Sequence, residues 1–307
     1  MSLRDAGGSD ILEQFKNTSN KVKKRFLRKP NLTEACDSFT NLAQQCESLE
    51  LPAYAGLCWI ATACCEGSLS NLPGETNCLL KAGRQFLKAE EIDHALGCPR
   101  PSSENLQAGL SCITHAIEKC GDSGPMNVGY NLEVVDFLNK IGQGEYSETY
   151  LHSAVNLSEN RPDTKVYCLE LLAKKFIENG DFVAALETYT EISKILENLP
   201  KSGSRSDLLL KCEINSVFLL LILKPSPQKL SSRSAKILVK YTWGDQSDSS
   251  LRACKMTEKM FLLMQSLVTI CQSVDTSNLI SLEGEFWNLL EKSEKELLRV
   301  LVQSYYP

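Results

Sequence analysis

A chain of 307 residues that is 43% hydrophobic and 23% charged is a globular protein of one large or two ordinary domains, and this balance excludes a disordered chain. The net charge of −5 argues against general nucleic-acid binding. No apolar run approaches the roughly 18 residues needed to cross a bilayer, so no direct membrane insertion is expected.

The first nine residues are polar and Gly-containing, with no signal-peptide core, and are expected to be disordered. Asp10 can cap a helix over 11–28 that Pro30 ends, its apolar stripe being Ile11, Phe15, Val22 and Phe26. Thr33 opens a second helix carrying Phe39, Leu42, Cys46 and Leu49. Pro52 opens a third, in which Ala55, Gly56, Ala61 and Ala63 permit close helix packing, and Pro73 opens a fourth. After a Gly/Pro-rich connector at 97–103, helices are expected over 104–120, 128–140 and 146–157.

Residues 162–200 form the clearest unit. Apolar and small residues recur at three- and four-residue steps on both sides of Asn179-Gly180-Asp181, which predicts two amphipathic helices joined by a tight turn. Large residues at Leu169, Phe176, Phe182 and Tyr189, with Ala173 and Ala185 at the crossing, follow a tetratricopeptide pattern. Gly144-Glu145-Tyr146 parallels Gly180-Asp181-Phe182 at a spacing of 36, near the roughly 34-residue period of that repeat. Such a hairpin cannot bury both faces alone, so more hairpins should stack beside it.

A flexible linker is expected at 200–206, and Asp207 then caps a helix whose residues 217–223 are all apolar. Shorter helices follow near 232–241, 257–273, 276–290 and 293–304, and no alternating strand pattern occurs. The expected class is all-α, a tetratricopeptide-like α-solenoid of stacked antiparallel hairpins. Its N-terminal part spans 10–199, and a C-terminal part continuous with it spans 207–304.

Little here resembles catalytic chemistry. His94, His115 and His152 have no metalloprotease spacing, no CxxC pair exists, and Cys64-Cys65 on a helix points its two thiols about 100° apart. Gly142-Gln143-Gly144 lacks the third glycine and the preceding strand of a dinucleotide loop. Thirteen cysteines, an odd number, sit largely in helical patterns, as at Cys46, Cys58, Cys168 and Cys212. They are expected to be buried, reduced thiols of a cytosolic chain. No enzyme activity, cofactor or metal is expected.

One charged constellation stands out, Lys21-Val-Lys-Lys-Arg-Phe-Leu-Arg-Lys29, six basic residues in nine. On a helix Lys21, Lys24, Arg25 and Arg28 share one flank. Taking those six charges from a net −5 leaves −11 on the remainder, an asymmetry that favours a partner. A solvated helix face, a nuclear-import signal and a docking strip for an acidic protein or membrane are the three readings.

The run from Ser19 to Asn31 also resembles the N-terminal signature of a known family. Cys212-Glu213, Leu219 to Leu223, Pro225, Lys229-Leu230 and Lys240-Tyr241-Thr242-Trp243 resemble its C-terminal half. Phe261 to Val268 and Ser281-Leu282 through Glu285, Trp287, Leu289 and Leu290 continue the resemblance in order. The family is that of the forty-kilodalton huntingtin-associated protein, or factor VIII intron 22 protein, and the chain resembles an invertebrate member. Vertebrate members carry a long Pro-rich insert near position 200 where this chain has a short Ser/Gly stretch. The resemblance is weaker between about Leu96 and Leu157.

The resemblance implies a scaffold that binds and stabilises huntingtin, a HEAT-repeat protein, as a one-to-one heterodimer. It also implies a link to early endosomes and vesicle motility through an endosomal Rab GTPase. The expected location is cytoplasmic and early endosome-associated, and the basic run adds nuclear entry as a further expectation. The expected partner-binding residues are Lys21, Lys24, Arg25, Arg28 and Lys29 of the strip, with Phe218, Leu221, Lys240 and Trp243 towards the C-terminus. The rival readings are a general vesicle-trafficking adaptor similar to membrane-fusion attachment proteins and an enzyme of unknown type.

Overall fold

Helix boundaries follow side-chain chemistry closely in this chain. A computed structural model describes residues 3–22 (3–9 as backbone alone), 31–97, 103–121, 124–200, 203–226, 228, 230–244, 255–273 and 277–305. Among these residues there are fourteen α-helices and no strand. They divide between two compact units, Met1–Leu157 and Ser158–Pro307.

The first unit holds α1 (Leu3–Val22), α2 (Leu32–Ser48), α3 (Pro52–Ser68), α4 (Leu72–Ala95), α5 (Glu104–Cys120), α6 (Gly124–Lys140) and α7 (Ser147–Leu157). Asn31 and Asn71 cap α2 and α4 by accepting from the N–H groups of Glu34 and Gly74 at 3.2 and 3.3 Å. Cross-helix partners advance on one helix as they retreat on the next. Cys36 donates to Glu66 at 3.1 Å and Trp59 Nε1 donates to Glu47 at 2.7 Å, so α2 and α3 are antiparallel. Glu47 also accepts from Gln85 Nε2 at 3.0 Å, tying α4 into the same polar contact.

Glycine sets the closest approaches. A Cβ on Gly56 would lie 2.8 Å from the Phe86 ring, one on Gly83 would lie 2.6 Å from Ile113, and one on Gly109 would lie 2.7 Å from Leu87. The backbones of α4 and α5 thus meet at Gly83 and Gly109. Around them Leu87, Leu106, Ile113, Val134, Leu138 and Ile141 form one core, while Leu42, Trp59, Leu79 and Phe86 belong to another shared by α2, α3 and α4. Arg84 grips Glu133 with two hydrogen bonds (2.6 and 2.8 Å) and Lys140 meets Glu91 at 2.6 Å, so α4 and α6 run side by side.

The second unit opens with the hairpin of α8 (Pro162–Asn179) and α9 (Phe182–Glu197). Ala173 and Ala185 are fully buried at its crossing, as their small size predicts. Asp181 caps α9 on the Ala184 N–H at 3.0 Å. Next come α10 (Gly203–Leu223), α11 (Ser232–Trp243), α12 (Glu258–Gln272), α13 (Leu279–Phe286) and α14 (Lys292–Gln303). Both α9 and α14 pack on α10, leaving that helix without a solvent face over most of its C-terminal half. Tyr305 closes the fold, its hydroxyl 3.4 Å from the carbonyls of Leu221 and Cys271. The class is all-α, built of stacked antiparallel hairpins in the tetratricopeptide manner.

The repeat lies in a turn geometry more than in a glycine. At α8–α9, Gly180 has φ +77° and donates to Ile177 O, while Asp181 donates to Phe176 O. The same pair of bonds recurs around Gly142, Glu50 and Ser70, all at positive φ. Gly142, not Gly144, therefore corresponds to Gly180, a separation of 38 residues and not 36. Glu50 and Ser70 make the turn without glycine, so a search for glycine passes over them.

Several helix boundaries differ from expectation, among them the end of α13 at Phe286 where 290 was expected. Helix α1 opens at Leu3, within the lead expected to be disordered. Helix α6 opens at Gly124, with Pro125 accommodated in its first turn. Helix α10 opens at Gly203, within the expected 200–206 linker, because Arg205 forks onto Asp163 of α8 at 3.0 and 2.8 Å and also holds the Pro200 carbonyl. The division between units falls at Leu157/Ser158.

Candidate partner-binding surface

Five of the nine expected binding residues lie among the described residues, and they fall in three environments. Lys21 lies exposed in the last turn of α1, while Lys24, Arg25, Arg28 and Lys29 lie outside the described residues. Phe218 and Leu221 are core residues and present no surface to a partner. Phe218 is 0% exposed and meets the Phe286 ring edge-on at 6.0 Å, and Leu221 is 6% exposed. An all-apolar run has no solvent face of its own, and here α9, α13 and α14 supply the cover.

Lys240 and Trp243 sit on one helix with opposite fates. In α11, Ser231 caps the start by accepting from the Ser234 N–H at 3.1 Å. Only Ser234 and Tyr241 of this helix are fully buried. The Tyr241 ring packs on Phe261 at 5.6 Å, and its hydroxyl donates to Glu213 at 3.1 Å. Lys240 also donates to Glu213, so it is a structural ion pair and not a free surface cation. Across the helix, Lys236, Val239 and Trp243 follow at i, i+3 and i+7, and all three are exposed. Val239 is 56% exposed and Trp243 84%, far above the usual burial of tryptophan.

Other exposed features lie apart from the nine expected binding residues. Trp287 is partly exposed beneath the cations of Lys295 and Arg299, at 5.1 and 4.7 Å from its ring. Ile280 and Leu289 are exposed nearby in sequence. Burial on α10 makes Lys211 harder to charge, but the Glu170 and Glu291 carboxylates outweigh that effect and hold its ammonium above its ordinary range. Among the described residues, no three His, Cys, Asp or Glu side chains come together to hold a metal, and no helix is long and apolar enough to cross a membrane.

No family model matches the chain. The 40-kDa huntingtin-associated proteins of Mus musculus and Rattus norvegicus do, each 30% identical over 356 residues that cover 96% of this chain and 92% of the relative. The chain belongs to the 40-kDa huntingtin-associated protein family. That alignment is longer than this 307-residue chain, so the rodent members of the 40-kDa huntingtin-associated protein family carry residues absent here.

Proposed function

We propose that the chain is a non-enzymatic scaffold that binds and stabilises huntingtin as a one-to-one heterodimer. The observation that carries this reading is similarity running nearly end to end to relatives named for association with huntingtin. A stack of helix hairpins suits the role, because such stacks offer their helix faces to a helical partner. Trp243, held out on a well-anchored helix, is the residue type that dominates protein interfaces once a partner covers it. In the same reading the complex recruits huntingtin to early endosomes through a Rab GTPase, with the basic run 21–29 as an electrostatic docking strip in the cytoplasm.

The test is co-purification of the chain with huntingtin, read by light scattering for stoichiometry and by melting of each chain alone and together. A 1:1 species that melts above either free chain is expected. Trp243→Ala should leave the free chain's melting unchanged and weaken the complex about tenfold or more. Separate elution of the two proteins at micromolar concentration would refute the proposal.

A further inference from the structure

Helices α9 and α11 both pack on α10, and an open trough runs between them along that helix. It consists of two adjoining cavities of about 480 and 570 Å³ that share Thr190. One end is apolar, lined by Val183, Leu186, Leu220, Leu223 and Leu230. The other is polar and bordered by two ion pairs, Arg233–Glu197 and Lys240–Glu213. Val183, Leu186, Thr190, Ser193 and Glu197 follow one face of α9, so the trough is about 21 Å long at 1.5 Å per residue. That is the length of a four-turn helix.

The charges decide what fits. Arg233 and Lys240 are already neutralised by their carboxylate partners. Lys194 on the α9 wall and Lys236 on the α11 wall are exposed and have no acidic partner among the described residues. Glu187 is likewise unpaired, two turns before Lys194 at the apolar end. An occupant therefore gains by placing carboxylates beside the two lysines and keeping its anions away from Glu187.

We propose that this trough docks one amphipathic α-helix of the partner, its apolar side chains in the Val183/Leu230 end and its acidic residues against Lys194 and Lys236. The claim rests on the huntingtin-binding reading and adds the place and chemistry of one contact. A groove of this kind is recognised through apolar anchors at i, i+3, i+4 and i+7.

The experiment compares the full chain with Val183→Asp and with the double variant Lys194→Glu/Lys236→Glu, each titrated with huntingtin at low and high salt. All three positions are exposed, so unchanged circular dichroism and melting of the free variants are expected. Val183→Asp should weaken binding about tenfold or more at either salt concentration. The charge reversal should weaken it by about tenfold at low salt, with the difference shrinking at high salt. Amides of α9 and α11 should gain hydrogen-exchange protection in the wild-type complex. A normally formed complex in which both variants bind like wild type, or a chain that fills the trough by pairing with itself, would overturn the trough. A wild-type chain that does not bind huntingtin defeats the functional reading itself.

Discussion

The Lys240 ammonium lies 2.7 Å from the Glu213 carboxylate, with the two side chains 10% and 17% exposed. The same carboxylate oxygen accepts from Tyr241, so one acidic group on α10 holds two successive residues of α11. Because α11 buries little else completely, this joint fixes the helix that carries Trp243 and one wall of the trough.

Removing one side of the pair should therefore cost more than a surface ion pair would. Lys240→Ala leaves a largely buried carboxylate with Tyr241 alone and should destabilise the fold by about 2–3 kcal/mol. Glu213→Ala/Lys240→Ala should cost less than the two single changes combined. Urea unfolding measures both. A Lys240→Ala midpoint equal to wild type would show that the pair contributes nothing.

The glycines separate two physical effects. Nothing lies within 4 Å of a Cβ placed on Gly180, so Gly180→Ala is penalised only by its φ of +77°, about 1 kcal/mol. Gly83→Ala and Gly109→Ala have ordinary helical backbones but force α4 and α5 apart, for about 1–3 kcal/mol each. Ser70→Gly, at φ +61° in an exposed turn of the same type, should instead stabilise by a fraction of 1 kcal/mol. Thermal melts of the four variants should show this order and this change of sign.

Glu294 sets a pH dependence. Burial raises its carboxyl above the ordinary range, against the backbone N–H of Glu291 that it accepts at 2.8 Å and the nearby Lys211. A raised folded value means the fold prefers the protonated form. Its contribution is present in full below the ordinary carboxylate range and is lost as pH rises through the raised value. Glu294→Gln keeps a neutral acceptor for the cap and should gain stability relative to wild type as pH rises from 4 to 7.5. Parallel pH–stability curves for the two proteins would contradict this.

Thiol reactivity follows burial. Burial, reinforced by the hydrogen bond to Glu66, pushes the Cys36 thiol up to about 12. Burial takes Cys212 to about 12 and Cys112 to about 11. Cys64 is exposed. With iodoacetamide at pH 8, Cys64 should be alkylated before Cys36, Cys112 and Cys212, which should react only in denaturant. Peptide mass spectrometry reads the order, and native labelling of Cys212 at the rate of Cys64 would break it.

Local information went far in this chain. Periodicity placed the α8–α9 hairpin, its Gly180 turn and its buried Ala173 and Ala185, because those features depend on residues a few positions apart. The same reasoning missed the turns at Glu50 and Ser70, where the backbone adopts the glycine geometry without glycine.

What the sequence could not settle was which apolar and charged residues remain available once the helices pack. Phe218 is covered by Phe286, 68 residues later, and Lys240 is neutralised by Glu213, 27 residues earlier. The start of α10 is held by Asp163, 42 residues before Arg205. A helical period marks a residue's face, but burial and pairing depend on what crosses that face in space. Tertiary packing alone left Trp243 in solvent and opened the trough between α9 and α11.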